Sequence, residues 1–360
     1  MDPSRLIPSP DTIPAPWGVF EFLLILTFLG HLLFMNAMLG TAFIAMVREL
    51  ATPSQAPPPC RDLAGRLTHT VALAVNFGVA PLLFLQVLYG TFIYTSSILV
   101  AAPWLAVIGC VIGAYASAYL YKLRPEMPPW ARRLSIGTSL LLMLAIAFIF
   151  VNNLTLMQTP HRWLDFFPQP DGLALNLSEP TLLPRFFHFL AASVAVGGLL
   201  IAIVAQRNMA HGDQAAAAQR KRGMQWFTFA TLVEAGTGIP FLFAMPRPVF
   251  SLFVGGLAPH TLIFVIAMLA TLACLYLGVK ERVWPAAWAL LITVVAMILV
   301  RELARMAYLA RYFHPSSLPV APQWSPLFLF LVILLIGVGL VAYMLVLAAR
   351  VPHEGEEVAQ

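Results

Sequence analysis

Pro184-Arg185-Phe186-Phe187-His188-Phe189-Leu190-Ala191-Ala192-Ser193-Val194-Ala195-Val196-Gly197-Gly198 opens an apolar run with one histidine about a turn in. An earlier stretch, Gly30-His31-Leu32-Leu33-Phe34-Met35-Asn36-Ala37-Met38-Leu39-Gly40, has the same outline. In each, a glycine follows the histidine by nine residues, at Gly40 and at Gly197. A helix needs about 20 apolar residues to cross the hydrocarbon core of a bilayer. Both runs are that long, so they read as the first helices of two copies of one membrane-embedded helical unit.

Composition agrees. Of 360 residues, 60% are hydrophobic and only 10% charged, and the mean hydropathy is +0.83. A soluble domain carries about 25% charged residues. The charges here cluster between long apolar runs, which is the pattern of a polytopic helical membrane protein. The sequence pI near 9.3 does not point to nucleic acid, because the basic residues fall in short loops. The Pro-rich, polar first sixteen residues do not read as a cleavable signal peptide. Cys60, Cys110 and Cys274 are far apart and match neither a zinc spacing nor a covalent c-type haem motif.

Outward from the opening stretch, nine spans are expected, at 17–47, 67–97, 103–122, 132–154, 184–206, 223–245, 260–279, 284–309 and 325–350. Arg48, Lys122, Arg132, Arg220, Lys280 and Arg350 fall on one side of the membrane, and few basic residues fall on the other. The positive-inside rule then puts the N-terminus outside and the C-terminus inside, in a bacterial cytoplasmic membrane. Spans two and six share a Gly-x-x-Pro type of stretch, near Gly78-Val79-Ala80-Pro81 and Gly236-Thr237-Gly238-Ile239-Pro240, read as a break in mid-helix. The fold expected is all-α: two parallel four-helix units, 17–154 and 184–309, with the ninth helix at 325–350 on the edge. An outer segment at 1–16, an outer loop at 155–183 and an inner tail at 351–360 complete the division.

Ionisable groups inside a membrane are functional suspects. Those singled out are His31, His69, His188, Glu234, His260, Arg301, Glu302 and Arg305. Several converge on the outer half, with Met268 two turns below His260. Glu302 and Met306 share a face of span eight, and Arg305 sits one turn from Glu302. His, Met and Glu converging in a bundle suit a haem iron, and nearby cations suit its propionates. Each residue also has a plain reading. A lone histidine can be a helix–helix hydrogen bond. Most methionines are packing. His69 reads as an interface residue. Glu234 fits a proton path and equally a neutral hydrogen-bonded acid.

Four stretches carry a family resemblance: His31-Leu32-Leu33-Phe34, Gly78-Val79-Ala80 through Tyr89-Gly90-Thr91, Val151-Asn152-Asn153 through Met157-Gln158-Thr159-Pro160, and Arg185-Phe186-Phe187-His188. They resemble subunit I of the cytochrome bd-type quinol oxidases. The resemblance implies haem b on His188, with Met268 or His260 as the second ligand and Arg185 near a propionate. It implies a further high-spin or chlorin haem with His31 and Glu302 as ligands and Arg305 beside it. It also implies a quinone substrate and, as partners, other membrane subunits or an outer-side cytochrome c. The chain departs from the family in four places. Span three has no carboxylate, Gln86 stands where the family has an acid, the family's Gly-Arg-Gln-Pro-Trp tail is lost after Glu302, and the quinol-binding loop shrinks to 246–259. The expected function is a haem-b-bearing electron-transfer subunit linking a quinone pool to an outer-side or terminal acceptor. A complete quinol-oxidising oxygen reductase and a haem-free transporter retaining the fold stay open, and no catalytic residue is assigned.

Overall fold

The structure is a computed structural model that describes residues 3–51, 61–124, 126–168, 171–214 and 216–350. Cys60 and the tail expected at 351–360 lie outside the described residues. The helices are α1 (Trp17–Ala51), α2 (Arg61–Leu99), α3 (Ala101–Leu123), α4 (Pro129–Gln158), α5 (Leu182–Ala210), α6 (Ala216–Ala244), the short α7 (Arg247–Ser251), α8 (Ala258–Val279), α9 (Val283–Leu309) and α10 (Trp324–Arg350). Nine of them, all but α7, are long and apolar enough to cross a membrane. A helix satisfies its own backbone polar groups, so unbroken Leu, Ala, Ile and Val runs have no other stable form in lipid. The chain is an all-α, multi-pass membrane protein.

Some helices overrun the expected spans. α6 begins at Ala216 rather than 223, because Ala, Gln, Arg and Lys are good helix formers and carry it on past the apolar run. α4 continues to Gln158, and a 3-10 turn, Pro160–Phe166, follows directly. The 246–259 connection is not a simple loop. It holds α7 and a π-type turn, Leu252–Gly256, in which Gly255 has φ +94°.

The mid-helix breaks expected at Pro81 and Pro240 are not there. α2 and α6 run through both prolines. The one non-helical residue inside α2 is Tyr89, well past Pro81. A membrane helix tolerates a proline when its neighbours cover the freed carbonyl.

The two units meet where α1 crosses α5. A Cβ on Gly40 would overlap the Ser193 carbonyl, and one on Gly197 would come within 2.7 Å of Thr41 N. The backbones are therefore closer there than any side chain allows. One turn away, Ser193 Oγ donates to Asn36 Oδ1 at 2.7 Å, across a separation of 157 residues. That is also the separation of His31 from His188 and of Gly40 from Gly197. Equivalent residues touching each other is the mark of a two-fold relation, here internal to one chain. α2 packs beside α1 and α6 beside α5, and the pairs α3–α4 and α8–α9 flank this centre.

At the end of the bundle away from the N-terminus, a buried polar knot closes the first unit. Glu49 accepts from Tyr121 Oη at 2.8 Å and from Arg132 at 3.4 Å, and its carbonyl accepts from Arg133 Nε at 3.0 Å. α10 is almost wholly exposed and touches the rest through Phe330 against Phe84. The leading segment is pinned to the linker before α10, with Ile13 N donating to Pro319 and Ala321 N donating to Ile13.

Candidate functional site

Each repeat histidine sits in a seat built by the next helix. His31 Nδ1 lies 2.9 Å from the carbonyl of Ala74, and Gly78, four residues on, faces the ring. His188 Nδ1 lies 3.1 Å from the carbonyl of Glu234, and Gly238, again four residues on, faces that ring. The glycine of each Gly-Pro stretch thus makes room for an imidazole and does not mark a break. A carbonyl can only accept, so in both seats Nδ1 carries the proton and Nε2 keeps its lone pair. A backbone partner on one ring nitrogen is what orients a metal-ligating histidine. Beside His188, the carboxylate Oε1 of Glu234 stands 3.4 Å from Nε2.

An aromatic ring then links each seat to an arginine. The Phe241 ring centre is 5.9 Å from that of His188 and 5.2 Å from the Arg185 guanidinium. The Phe28 ring is 6.2 Å from His31 and 4.3 Å from the Arg301 guanidinium. Both contacts have cation–π geometry.

These arginines belong to one buried charged cluster at the N-terminal end of the bundle. Glu302 accepts from Arg301 at 2.7 Å and from Arg305 at 2.5 Å. Arg305 is fully buried and packs over the Tyr89 ring at 5.0 Å, where α2 loses its helical backbone. Arg185 Nη1 donates to Gln158 Oε1 at 3.1 Å. Several buried polar atoms make no well-formed hydrogen bond, namely Arg185 Nε, Arg305 Nε and Nη2, Tyr89 Oη and Tyr308 Oη, although Arg185 stands beside Tyr308 and Arg305 beside Tyr89. A buried donor with a poor partner is costly, so this set would favour an added acidic or hydroxylic group.

The structure joins His188 with Glu234, and Glu302 with Arg301 and Arg305. It does not gather every expected residue. Met268 is 37% exposed on α8, a helix that packs on α6 and α9. His260 lies edge-on to Phe253 at 5.3 Å, with its Nδ1 buried and unmatched. Met306 is half-buried, whereas Glu302 and Arg305 beside it are buried. Among the described residues, no three His, Cys, Asp or Glu side chains gather as a metal site.

One residue was missed from sequence. Glu21, on the first turns of α1, is only 7% exposed and stands beside the Glu302 carboxyl. The charged groups it faces are Glu302, Arg305 and Arg301. The available signal was an acid already inside an apolar run, at a depth where a carboxylate normally snorkels to water.

The donor set suits a haem: two imidazoles oriented through Nδ1, glycines that seat each ring, and buried guanidinium groups nearby. At the His188 seat, the long Glu234 side chain must turn aside for Nε2 to reach an iron.

No family model matches the chain, and no curated protein matches it in sequence. Its fold is similar to that in the structure of bd oxidase from Geobacillus thermodenitrificans. The TM-score is 0.63 at 14% sequence identity, over 97% of this chain and 98% of that one. At that identity the likeness is one of fold, and it spans nearly the whole of both chains.

Proposed function

We propose that the chain is a haem-b-bearing, membrane-embedded electron-transfer subunit that links a quinone pool to an outer-side or terminal acceptor. The observation that carries this reading is the His188 seat, with Nδ1 held by the Glu234 carbonyl and the Glu234 carboxyl beside Nε2, and its repeat at His31, with Nδ1 on the Ala74 carbonyl. The fold likeness to a bd oxidase supports it. A bound haem supplies a one-electron centre.

The residues of this chain do the rest. His188 and His31 would hold the haem iron through Nε2. Arg185 and Arg305 would meet its propionates with buried guanidinium N–H groups. Glu302 keeps Arg301 and Arg305 aligned and neutralises part of their charge. Phe241 and Phe28 fix the spacing between ring and guanidinium. The excess of Lys and Arg in the alternate loops supports an N-terminus outside, which puts this cluster toward the outer face.

A second reading, a complete oxygen reductase, is favoured by Glu21. It supplies a buried acid beside Glu302 in a chain whose third helix has none.

The test is the reduced-minus-oxidised spectrum of the purified protein. A b-type band is expected. No haem absorbance would defeat the proposal and favour a transporter. Oxygen uptake on adding quinol, with a long-wavelength chlorin band, would establish the second reading.

A further inference from the structure

One open face of α2 carries two amides inside an apolar span. Asn76 and Gln86 fall in a series with Val79 and Leu83, spaced three, four and three residues apart. That is the a/d spacing of a helix that packs along another helix. Val79 and Leu83 are 54% and 53% exposed, Asn76 is exposed and Gln86 is half-buried. Ala74 and Gly78 face His31 on α1. Asn76 is two residues from each, so on a helix of 3.6 residues per turn it points away from α1. Among the described residues, neither amide has a hydrogen-bond partner.

Depth makes that costly. The span is 33 residues long, Leu67–Leu99. Along the helix axis Gln86 lies about 5 Å from its middle and Asn76 about 10 Å, against about 15 Å from the centre of a bilayer's hydrocarbon to its edge. Lipid chains offer an amide no partner, whereas a neighbouring helix can.

The second unit supplies a comparison. With Gly238 matched to Gly78 at the two seats, positions 76, 79, 83 and 86 correspond to Gly236, Ile239, Phe243 and Pro246. All four are exposed, and none has a side-chain donor or acceptor. Both units leave this face open, and only the first puts amides on it. Neither the repeated fold nor the histidine seat therefore calls for them.

The chemistry of the amide selects the occupant. A primary amide both donates and accepts, so it is complementary to itself. Two copies with the same orientation in a bilayer, paired by a two-fold axis along the membrane normal, set α2 parallel to α2 with equal depths facing. Asn76 of one copy then meets Asn76 of the other, and Gln86 meets Gln86. A different protein would have to present polar groups at both depths, which a second copy does by symmetry.

We propose that a second copy of this chain docks on α2 along Asn76, Val79, Leu83 and Gln86, forming a parallel two-fold dimer in the membrane. The dimer does not rest on the redox reading, and haem content does not enter its test.

Crosslinking of the full chain in membranes tests it. Val79→Cys is placed in a chain carrying Cys60→Ala, Cys110→Ala and Cys274→Ala and is co-expressed as two differently tagged copies. Oxidation should give a covalent dimer that holds both tags. Ile239→Cys, the matched position on α6, should give none. In mild detergent, sedimentation should show a dimer, and Asn76→Leu combined with Gln86→Leu should weaken association roughly tenfold. The cysteine arm changes one exposed side chain on α2 and keeps both amides, so it reads the interface even where the double variant fails to fold. No product holding both tags, equal crosslinking from Val79→Cys and Ile239→Cys, or unchanged association in a folded double variant would overturn the proposal. A Val79→Cys crosslink to a different protein would overturn it too and give this face to another subunit.

Discussion

At the scale of single residues, two glycines decide where two histidines sit. The seats are not equally roomy. A Cβ at position 78 would stand 2.9 Å from the His31 ring, whereas one at position 238 would stand 3.4 Å from the His188 ring, an ordinary contact. Gly78→Ala should therefore push His31 off the Ala74 carbonyl and weaken the spectral component that depends on it. Gly238→Ala should leave the His188 component nearly intact. Equal effects in the two variants would mean that the seats do not hold the rings in place.

Glu302 makes a different kind of prediction. It is the partner of two arginines in a setting with almost no water. Removing one member of a buried ion pair costs about 3–5 kcal/mol, because the other charge is left alone. Glu302→Ala should lower the unfolding temperature in detergent well beyond Glu302→Gln, which keeps an acceptor oxygen for one of the two guanidinium groups. Much of this site was legible: His31, His188, Glu234, Glu302 and Arg305 stand out as ionisable groups in apolar runs. Glu21 did not, because an acid near a helix start passes for an interfacial residue until its burial is known.

At the scale of helices, the crossing of α1 and α5 organises the fold. Gly40 and Gly197 face backbone, which cannot move aside as a flexible side chain can. Gly109, on α3, has nothing within 4 Å. Gly40→Ala and Gly197→Ala should each cut the yield of monodisperse protein, and Gly109→Ala should not. A normal yield of stable protein from Gly197→Ala would show that the helices do not approach as closely as described. The repeat was visible in sequence as a shared histidine-to-glycine spacing. That the two copies meet at those glycines, through Asn36 and Ser193, was not, because no local pattern says which helices cross. The prolines misled for a similar reason. Pro81 and Pro240 mark helices that continue, and the irregular residue is Tyr89, whose ring packs against a buried arginine.

At the scale of the whole molecule, a two-fold core of eight spanning helices places both histidine seats and the charged cluster in one bundle, with α10 on its edge. Hydropathy foretold the spanning helices, since lipid leaves an apolar chain few alternatives. The fold likeness to a bd oxidase covers the chain almost end to end. What function the bundle has turns on whether the two seats hold iron. The most direct measurement compares reduced-minus-oxidised spectra of the unaltered protein, His188→Ala and His31→Ala, each purified at matched folded yield. The account predicts a b-type spectrum in the unaltered protein, with each variant losing a separate component and keeping the other. A His188→Ala spectrum identical to that of the unaltered protein would contradict it.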